Sequence, residues 1–457
     1  MPPVTMRLTN VLSIPSVPDA LSDWLIPTLT LPNPKWVDNE RMGRWNRKTP
    51  KELKFYRRVR GGGIRIPRGF TGNLLRRCQR LGIAYDLVDQ RRRLPDTDFE
   101  FQGQLKPFQE AAIARMGARD FGTLSAPTGS GKTVMGLHLI ASRRQPTLII
   151  VHTKDLAHQW VARVHQFLGI PEKAIGLVGA GRRQVGTQIT VALVQSLYKC
   201  ARELAPEIGH LVVDECHRTP SRTFTEAVKA FDSHYMLGLS ATPWRRDRLS
   251  KLIFWHLGNV QHEIAAEGLV QSGDVLPAEI IIRKTEFRPY FDPVSEYARM
   301  LSELTEDKER NLLIAADVAD ALGKGAGVCL VLSDRKAHCE NLRVLLKYRH
   351  GIAAEVLTGD LASKQRQALT DRLQGGDIKV LIATGQLIGE GFDCPRLETL
   401  FLVTPIRFSG RLLQYLGRVL RPAPAKRSAR VFDYVDIHVD TLVKAARARQ
   451  RVYTGRK

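Results

Sequence analysis

The sequence predicts an α/β protein: two tandem parallel-sheet lobes behind a small basic N-terminal α+β domain. Three observations predict it. A glycine loop, Ser125-Ala-Pro-Thr-Gly-Ser-Gly-Lys132-Thr133, lies between an apolar strand-like run and the helix-like Val134-Met-Gly-Leu-His-Leu-Ile140. Short apolar strands alternate with helical stretches twice over, the second series starting at Val328-Cys-Leu-Val-Leu332. At 457 residues the chain is too long for one core. The expected division is a basic domain over 1–100, a first lobe over 101–255, a connection over 256–310, a second lobe over 311–443 and a basic tail over 444–457.

Charge is the informative part of the composition. The formal net charge is +23 and the pI is near 10.0, which implies a polyanionic partner, expected to be nucleic acid. A hydrophobic content of 43% and a mean hydropathy of −0.19 are those of an ordinary globular chain. No apolar run is long enough to span a bilayer, and Met1-Pro-Pro-Val-Thr shows no signal-peptide pattern. The cysteines Cys78, Cys200, Cys216, Cys329, Cys339 and Cys394 are scattered without a C-x-x-C pair, which argues against zinc and disulfides and for a reducing cytoplasm.

In chain order, Leu31-Pro-Asn-Pro-Lys-Trp36 reads as an extended entry. Beyond it Arg57-Arg58-Val-Arg60, Arg76-Arg77 and Arg91-Arg92-Arg93 interleave with Trp45, Tyr56, Phe70 and Tyr85. Cations between rings suit backbone neutralisation with base stacking, while the rings alone would equally serve as a small core. Gly61 to Gly69 reads as turn, strand and turn, Asn73 to Leu81 as a helix, and 91–101 as a linker. Leu105-Lys-Pro-Phe-Gln109 opens a helix whose Gln109 can read the adenine edge by a two-point amide contact.

The glycine loop is a phosphate cradle, because its backbone N–H groups converge at the positive end of a helix. Thr128, Gly129, Ser130 and Gly131 form it, Lys132 reaches the β- and γ-phosphates, and the Thr133 hydroxyl sits on Mg²⁺. Ala126 stands where the usual pattern has its first glycine. Pro146-Thr-Leu-Ile-Ile-Val151 and Ile189-Thr-Val-Ala-Leu-Val194 are buried-looking strands, and His210-Leu-Val-Val213 delivers Asp214-Glu215-Cys216-His217 at its end. Asp214 is suited to hold Mg²⁺ through its water shell and Glu215 to orient and deprotonate water. Ser240 and Thr242, in Gly-Leu-Ser-Ala-Thr-Pro243, are placed to bond the acid pair and His217. After a connection with an amphipathic run from Val294 to Leu304, the second strand series follows without a phosphate loop of its own. It ends in Gln414-Tyr-Leu-Gly-Arg418-Val-Leu-Arg421-Pro422, read as a helix with Gln414, Arg418 and Arg421 on one face. Two guanidinium forks on such a stripe are what an arginine finger needs. The tail 444–457, basic and without acids, is expected to fray and bind nucleic acid weakly.

The ordered series of Gln109, A-x-T-G-S-G-K-T, D-E-C-H, S-A-T-P, G-E-G-F-D-x-P and Q-x-x-G-R-x-x-R resembles the superfamily 2 helicases over about residues 100–440. Within them D-E-C-H, A-T-P-x-R-x-D and G-E-G-F-D look like the XPB, UvsW and RadD-like branch of DNA helicases and translocases. The resemblance implies two RecA-like lobes using ATP and Mg²⁺, with Gln109, Lys132, Thr133, Asp214 and Glu215 in the roles above. It implies coupling through His217, Ser240 and Thr242, Gly389 and Asp393 on the second-lobe face, and Arg418 and Arg421 as fingers. Thr153, Lys154, Gln195, Ser333, Arg335 and Thr384 match positions near the nucleic-acid strand. The expected activity is ATP-driven 3′→5′ movement on DNA with strand separation or remodelling; the sequence shows no nuclease constellation, so any cutting would need a nuclease or other complex subunit. An RNA helicase, or an ATP-switched DNA-binding recruitment subunit that does not unwind, are the alternatives.

Overall fold

The computed structural model describes residues 2–218, 222–241, 250–389, 394–406, 409–423, 426 and 428–454. Apolar runs four to six residues long become central strands because both their faces are covered: every residue of Thr147–Val151, His210–Val213 and Val328–Ser333 is buried. The chain divides into two compact units, Met1–Ala126 with Lys132–Glu263, and Pro127–Gly131 with Ile264–Lys457.

The first unit begins with β1 (Val4–Leu8), β2 (Val11–Ile14), β3 (Thr30–Pro32), β4 (Glu52–Lys54), β5 (Arg57–Arg58), β6 (Ile64–Pro67) and β7 (Tyr85–Asp89). Five of them form a mixed sheet in the order β5-β6-β2-β1-β7, and β3 pairs with β4 in a separate two-stranded sheet. Strict alternation sets its faces: Val4, Met6 and Leu8 are buried, whereas Thr5 and Arg7 are exposed. The apolar face packs on Leu21, Leu25, Leu74 and Cys78 of two helices, Asp19–Thr28 and Thr71–Arg80. Phe70 belongs to this core, Tyr56 and Tyr85 pack against it, and Trp45 stands 83% exposed. The rings are therefore mostly core. The extended entry expected at Leu31 to Trp36 contains instead the start of a helix, Pro34–Arg41. Asn33 caps it by accepting from the Lys35 N–H, with Pro34 at the first helical position.

This domain is not the detached module expected over 1–100. Leu252 and Trp255, from the helix Ser250–Leu257, complete its core. Arg68 is buried, donating to the Ser233 carbonyl at 2.8 Å and to Met236 Sδ. Arg91 is held by Asp89 and Asp120 at 2.6 and 2.7 Å, and Arg92 by Asp232 at 2.9 Å. Two arginines expected to face nucleic acid thus bind the domain to the first lobe.

The first lobe comprises β8 (Phe121–Ser125), β9 (Thr147–Val151), β10 (Gly176–Gly179), β11 (Arg182–Gln184), β12 (Ile189–Leu193), β13 (His210–Val213), β14 (Tyr235–Ser240) and β15 (Val260–Glu263). Their order is β11-β10-β12-β9-β13-β14-β8-β15, parallel except for the β10–β11 hairpin.

The second lobe comprises β16 (Ala278–Thr285), β17 (Val328–Ser333), β18 (Glu355–Leu357), β19 (Val380–Thr384), β20 (Leu397–Leu402) and β21 (Ala429–Asp436). They run parallel in the order β16-β21-β20-β17-β19-β18. The stretch 256–310, expected as a connection, therefore supplies an edge strand to each lobe. The expected helix near Val294 to Leu304 forms as Tyr297–Glu306. The tail is not frayed over its described part. Residues Asp440–Tyr453 form a helix that buries Ala445, Ala446 and Arg449, and Arg449 donates to Asp433 at 2.7 Å. Its basic residues looked like a solvated tail because the buried acid that takes Arg449 lies 16 residues earlier. No helix among the described residues is long and apolar enough to cross a membrane.

Candidate active site

Three neighbouring strands, β13, β14 and β8, run parallel, so their C-terminal ends come out side by side. There an open parallel sheet offers its ligand site. β8 ends at Ser125, directly opposite Ser240 at the end of β14, and the Ala126 N–H donates to the Ser240 carbonyl at 2.9 Å. One strand end thus anchors the start of the glycine loop. Gly129 (φ 93°) and Gly131 (φ 80°) then turn the backbone through conformations that side chains oppose. Ser130, buried, donates to the Pro127 carbonyl at 2.7 Å. The helix Lys132–Arg143 begins at once, and its first-turn N–H groups belong to the class that helices leave for an anion. Lys132 Nζ donates to the Ala126 carbonyl at 3.1 Å, across the mouth of the loop.

β13 presents the acid pair. Asp214 is buried, and both its oxygens are engaged: Oδ1 accepts the Glu215 N–H and Oδ2 the Trp160 indole N–H, each at 2.8 Å. Burial, followed by the neighbouring Glu215 carboxylate, raises its pKa, while Trp160 and Lys132 act in the opposite direction. Glu215 has φ 47°, a left-handed conformation unusual for a side-chain-bearing residue. That turn directs the chain so that Glu215 Oε2 lies 3.2 Å from His217 Nδ1. The same Nδ1 is 2.9 Å from Ser240 Oγ, inside the sheet. His217 Nδ1 therefore lies between Glu215 at one strand end and Ser240 at the next, hydrogen-bonded to Ser240 and within reach of the carboxylate.

Trp160 was not singled out by sequence reasoning. It lies in the helix Lys154–Leu168, 54 residues from its carboxylate partner, and looks like one apolar residue among others. A local signal exists nonetheless. A Cβ on Gly136 would come within 3.1 Å of Leu239 Cδ1 and 3.3 Å of the Trp160 ring, so the loop helix carries glycine where the indole passes.

Gln109 is buried at the start of the helix Pro107–Gly117, and its Oε1 accepts from the Lys106 N–H at 3.0 Å. Part of its hydrogen-bonding capacity is thus spent on capping. Thr128 and Thr133 are half-buried. In the second unit, Gln414 is buried and Arg418 half-buried on the helix Ser409–Val419. The single-face reading needs correction at Arg421, which lies beyond the helix end. Pro422 follows it, and the residue before a proline is pushed out of helical geometry.

Thr153 and Lys154 lie just past the end of β9, and Gln195 just past the adjacent β12. Thr153 caps the following helix by accepting from the Leu156 N–H, while Lys154 and Gln195 are exposed. In the other unit Arg335 and Thr384, both half-buried, lie at or just past the ends of the adjacent strands β17 and β19. Ser333 departs from its expected place near a nucleic-acid strand. It is buried, with Oγ 3.0 Å from His338 Nδ1 and accepting the Arg335 N–H. Gly389 ends the helix Gly385–Gly389, and Thr242 and Asp393 lie outside the described residues.

A glycine cradle, a lysine at its mouth and an acid pair on the next strand but one define a nucleoside triphosphatase. Two families match this chain: "type III restriction enzyme, res subunit" over residues 102–245, and "helicase conserved C-terminal domain" over 311–423. An Acanthamoeba polyphaga mimivirus protein, provisionally named an ATP-dependent RNA helicase, is 25% identical over 385 residues, covering 79% of this chain and 70% of its own. The DNA 3′-5′ translocase XPB2 of Sulfurisphaera tokodaii is 24% identical over 350 residues, covering 70% and 79%. Among solved structures, Saccharomyces cerevisiae Dbp5 bound to RNA and ADP BeF3 superimposes with a TM-score of 0.55 at 16% identity, covering 78% of this chain and 89% of that one. The chain belongs to the superfamily 2 helicases, in the branch that includes XPB, and is an ATP-dependent enzyme of that family.

Proposed function

We propose that the protein is a DNA translocase or helicase that couples ATP hydrolysis to 3′→5′ movement along DNA. The observation that carries the coupling is the place of His217 between Glu215, the residue suited to activate water, and Ser240 at the end of a neighbouring strand. The choice of DNA is supported by the similarity to the DNA 3′-5′ translocase XPB2 and by the +23 net charge. The mimivirus relative, named for RNA, keeps an RNA motor as the second reading.

The residues fit a nucleoside triphosphate with Mg²⁺. The loop 126–133 carries no acid, its two left-handed glycines leave room for phosphate oxygens, and a carboxylate and a hydroxyl, Asp214 and Thr133, are the oxygen donors Mg²⁺ prefers. When bound, the ion would neutralise charge developing on the β- and γ-phosphates. Lys132 binds the phosphates as a point charge, and Glu215 takes the proton of the attacking water. His217, against both Glu215 and Ser240, passes the state of that carboxylate to β14. Arg418 and Arg421 act as fingers on the transferred phosphate, and the resulting cycle of grip and release moves the lobes along the backbone.

Steady-state ATP hydrolysis without nucleic acid, with single-stranded DNA, with duplex DNA and with RNA tests this reading. DNA should stimulate more than RNA, and Glu215→Gln should abolish hydrolysis, a loss of about 10³-fold or more, while ATP binding persists. Stimulation by RNA alone would transfer the motor to the second reading. A flat response to every nucleic acid would refute a nucleic-acid motor.

A further inference from the structure

In the second lobe β17 ends at Ser333, and Asp334 and Arg335 turn the chain into the helix Lys336–His350. Side chains take both peptide N–H groups of that turn. Asp334 donates to Thr404 Oγ1 at 2.9 Å, and Arg335 donates to Ser333 Oγ at 3.1 Å. Behind Ser333 lies a buried polar row: His338, in the first turn of that helix, then Asn311, in the helix Lys308–Gly323.

The chemistry of each group fixes the direction of every bond in this row. Asn311 Nδ2 lies 2.9 Å from the Thr305 carbonyl, which can only accept, so the amide nitrogen points there and Oδ1 points to His338. Oδ1 is 2.8 Å from His338 Nε2, which must therefore carry the proton. Burial, and after it the Arg310 guanidinium, keep the imidazole neutral, so Nδ1 is an acceptor. The Ser333 hydroxyl donates to Nδ1 at 3.0 Å in preference to the Arg335 carbonyl at 3.3 Å. With its proton committed, Ser333 Oγ turns a lone pair to the Arg335 N–H. One direction thus runs from a main-chain carbonyl of the helix Tyr297–Glu306 to the N–H of Arg335.

The side chain at the end of the row is only partly used. One terminal nitrogen of Arg335 donates to the Ala298 carbonyl at 3.1 Å, while Nε is buried and has no hydrogen-bond partner among the described residues. A buried N–H of this kind is costly to leave unmade, and a phosphate oxygen is an acceptor that a guanidinium fork fits. Arg335 also stands just past the C-terminal end of a central strand, where parallel sheets bind ligands. A buried polar row costs more than an apolar plug of the same volume. What it adds is a fixed direction for the group at its end.

We propose that Asn311, His338 and Ser333 are positioning residues that aim Arg335 at the phosphate backbone of the nucleic acid. Ser333 acts through the Arg335 N–H and does not touch the strand itself. This inference rests on the nucleic-acid reading above, and it concerns a lobe that holds neither the acid pair nor Lys132.

The test is a double-mutant cycle on the full chain. Ser333→Ala and His338→Leu are each made alone and together with Arg335→Gln. Fluorescence anisotropy with a labelled DNA strand, and with an RNA strand of the same sequence, is recorded over a salt series. With Arg335 in place, either change should weaken binding about tenfold, the effect of one lost hydrogen bond. The slope of log affinity against log salt should become shallower by up to about 0.7, the share of one phosphate on a single strand. In the Arg335→Gln background the same changes should weaken binding no further. His338→Asn, which keeps an acceptor near the place of Nδ1, should recover part of the loss. Equal losses in both backgrounds would overturn the positioning role and leave a network that only supports the lobe. Arg335→Gln binding as tightly as its parent would overturn the phosphate contact, and the positioning role with it. If His338→Leu does not fold, Ser333→Ala completes the cycle alone. A wild type that binds neither strand would overturn instead the function on which the inference rests.

Discussion

Asp214 can orient a hydrated cation only if its carboxylate plane is fixed, and this fold fixes it from both sides. The Glu215 N–H holds Oδ1, and the Trp160 indole holds Oδ2. Trp160 is 1% exposed, so its N–H has no water to turn to, and the bond is of the charge-assisted kind. Trp160→Phe keeps most of the ring but removes the donor. The expected outcome is a rise of about tenfold in the Mg²⁺ concentration for half-maximal hydrolysis, equivalent to about 1.4 kcal/mol. The KM for ATP at saturating Mg²⁺ should change little. A Mg²⁺ titration of the ATPase checks it, and an unchanged midpoint would make Trp160 a packing residue only. Glu215 shows the complementary device. Its left-handed backbone costs energy that an unconstrained chain would avoid, and the contact to His217 is what that conformation secures.

At the scale of the element, the helix Ser409–Val419 carries Gln414 and Arg418, and its C-terminal carbonyls need partners. Lys426 supplies them: Nζ donates to the carbonyls of Val419, Arg421 and, from β20, Leu397. Burial draws its pKa down to about 8. The ammonium thus holds the main chain on which Arg421 is mounted. Lys426→Met should lower kcat by about tenfold, the rate equivalent of about 1.4 kcal/mol, with a smaller change in nucleotide affinity. Lys426→Arg should restore part of the loss. A kcat unaffected by Lys426→Met would show that the carbonyls need no cation. This contact also marks where sequence reading stops. The glycine loop, the acid pair and the strand series were legible because each is local: a turn that only glycine makes, or a run of buried residues ended by carboxylates. Trp160, Lys426 and Arg449 were not, because each finds its partner in a distant part of the chain or in main-chain carbonyls that carry no sequence mark. Arg421 was misplaced for the opposite reason. The spacing from Gln414 was read as helical periodicity although Pro422 already ended the helix.

At the scale of the whole chain, both units bury neutral imidazoles beside cations. His210 in the first unit accepts from Arg143 at 2.8 Å, and burial with that guanidinium holds its pKa well below the ordinary value. His256, in the helix that joins the N-terminal domain to the first lobe, is held at about 3 by burial, Lys229 and Arg68. His338 in the second unit is held at about 3 by burial and Arg310. An unfolded chain would protonate each near pH 6.5. Between about pH 3 and 6.5 the unfolded state therefore binds protons that the folded state refuses, so stability is whole above pH 6.5 and falls as acid is added. From pH 7.5 to 5.5 His256 in the first unit and His338 in the second should each cost about 1.4 kcal/mol; His210 adds to the loss in the first unit, and Asp214, whose pKa burial raises to about 6, offsets part of it. Asp120, whose pKa is lowered by His234 and then by Arg91, adds its loss only at lower pH, outside this window. The prediction can be read unit by unit, because all six tryptophans lie between Trp24 and Trp255. Tryptophan fluorescence in a urea titration reports the first unit, while far-ultraviolet circular dichroism reports both. The fluorescence midpoint should fall more steeply with acid than the dichroism midpoint, which averages both units, and His256→Asn should make the fluorescence slope shallower. Equal pH dependence in the two signals, or a slope untouched by His256→Asn, would show that acid sensitivity resides elsewhere than in the buried imidazoles.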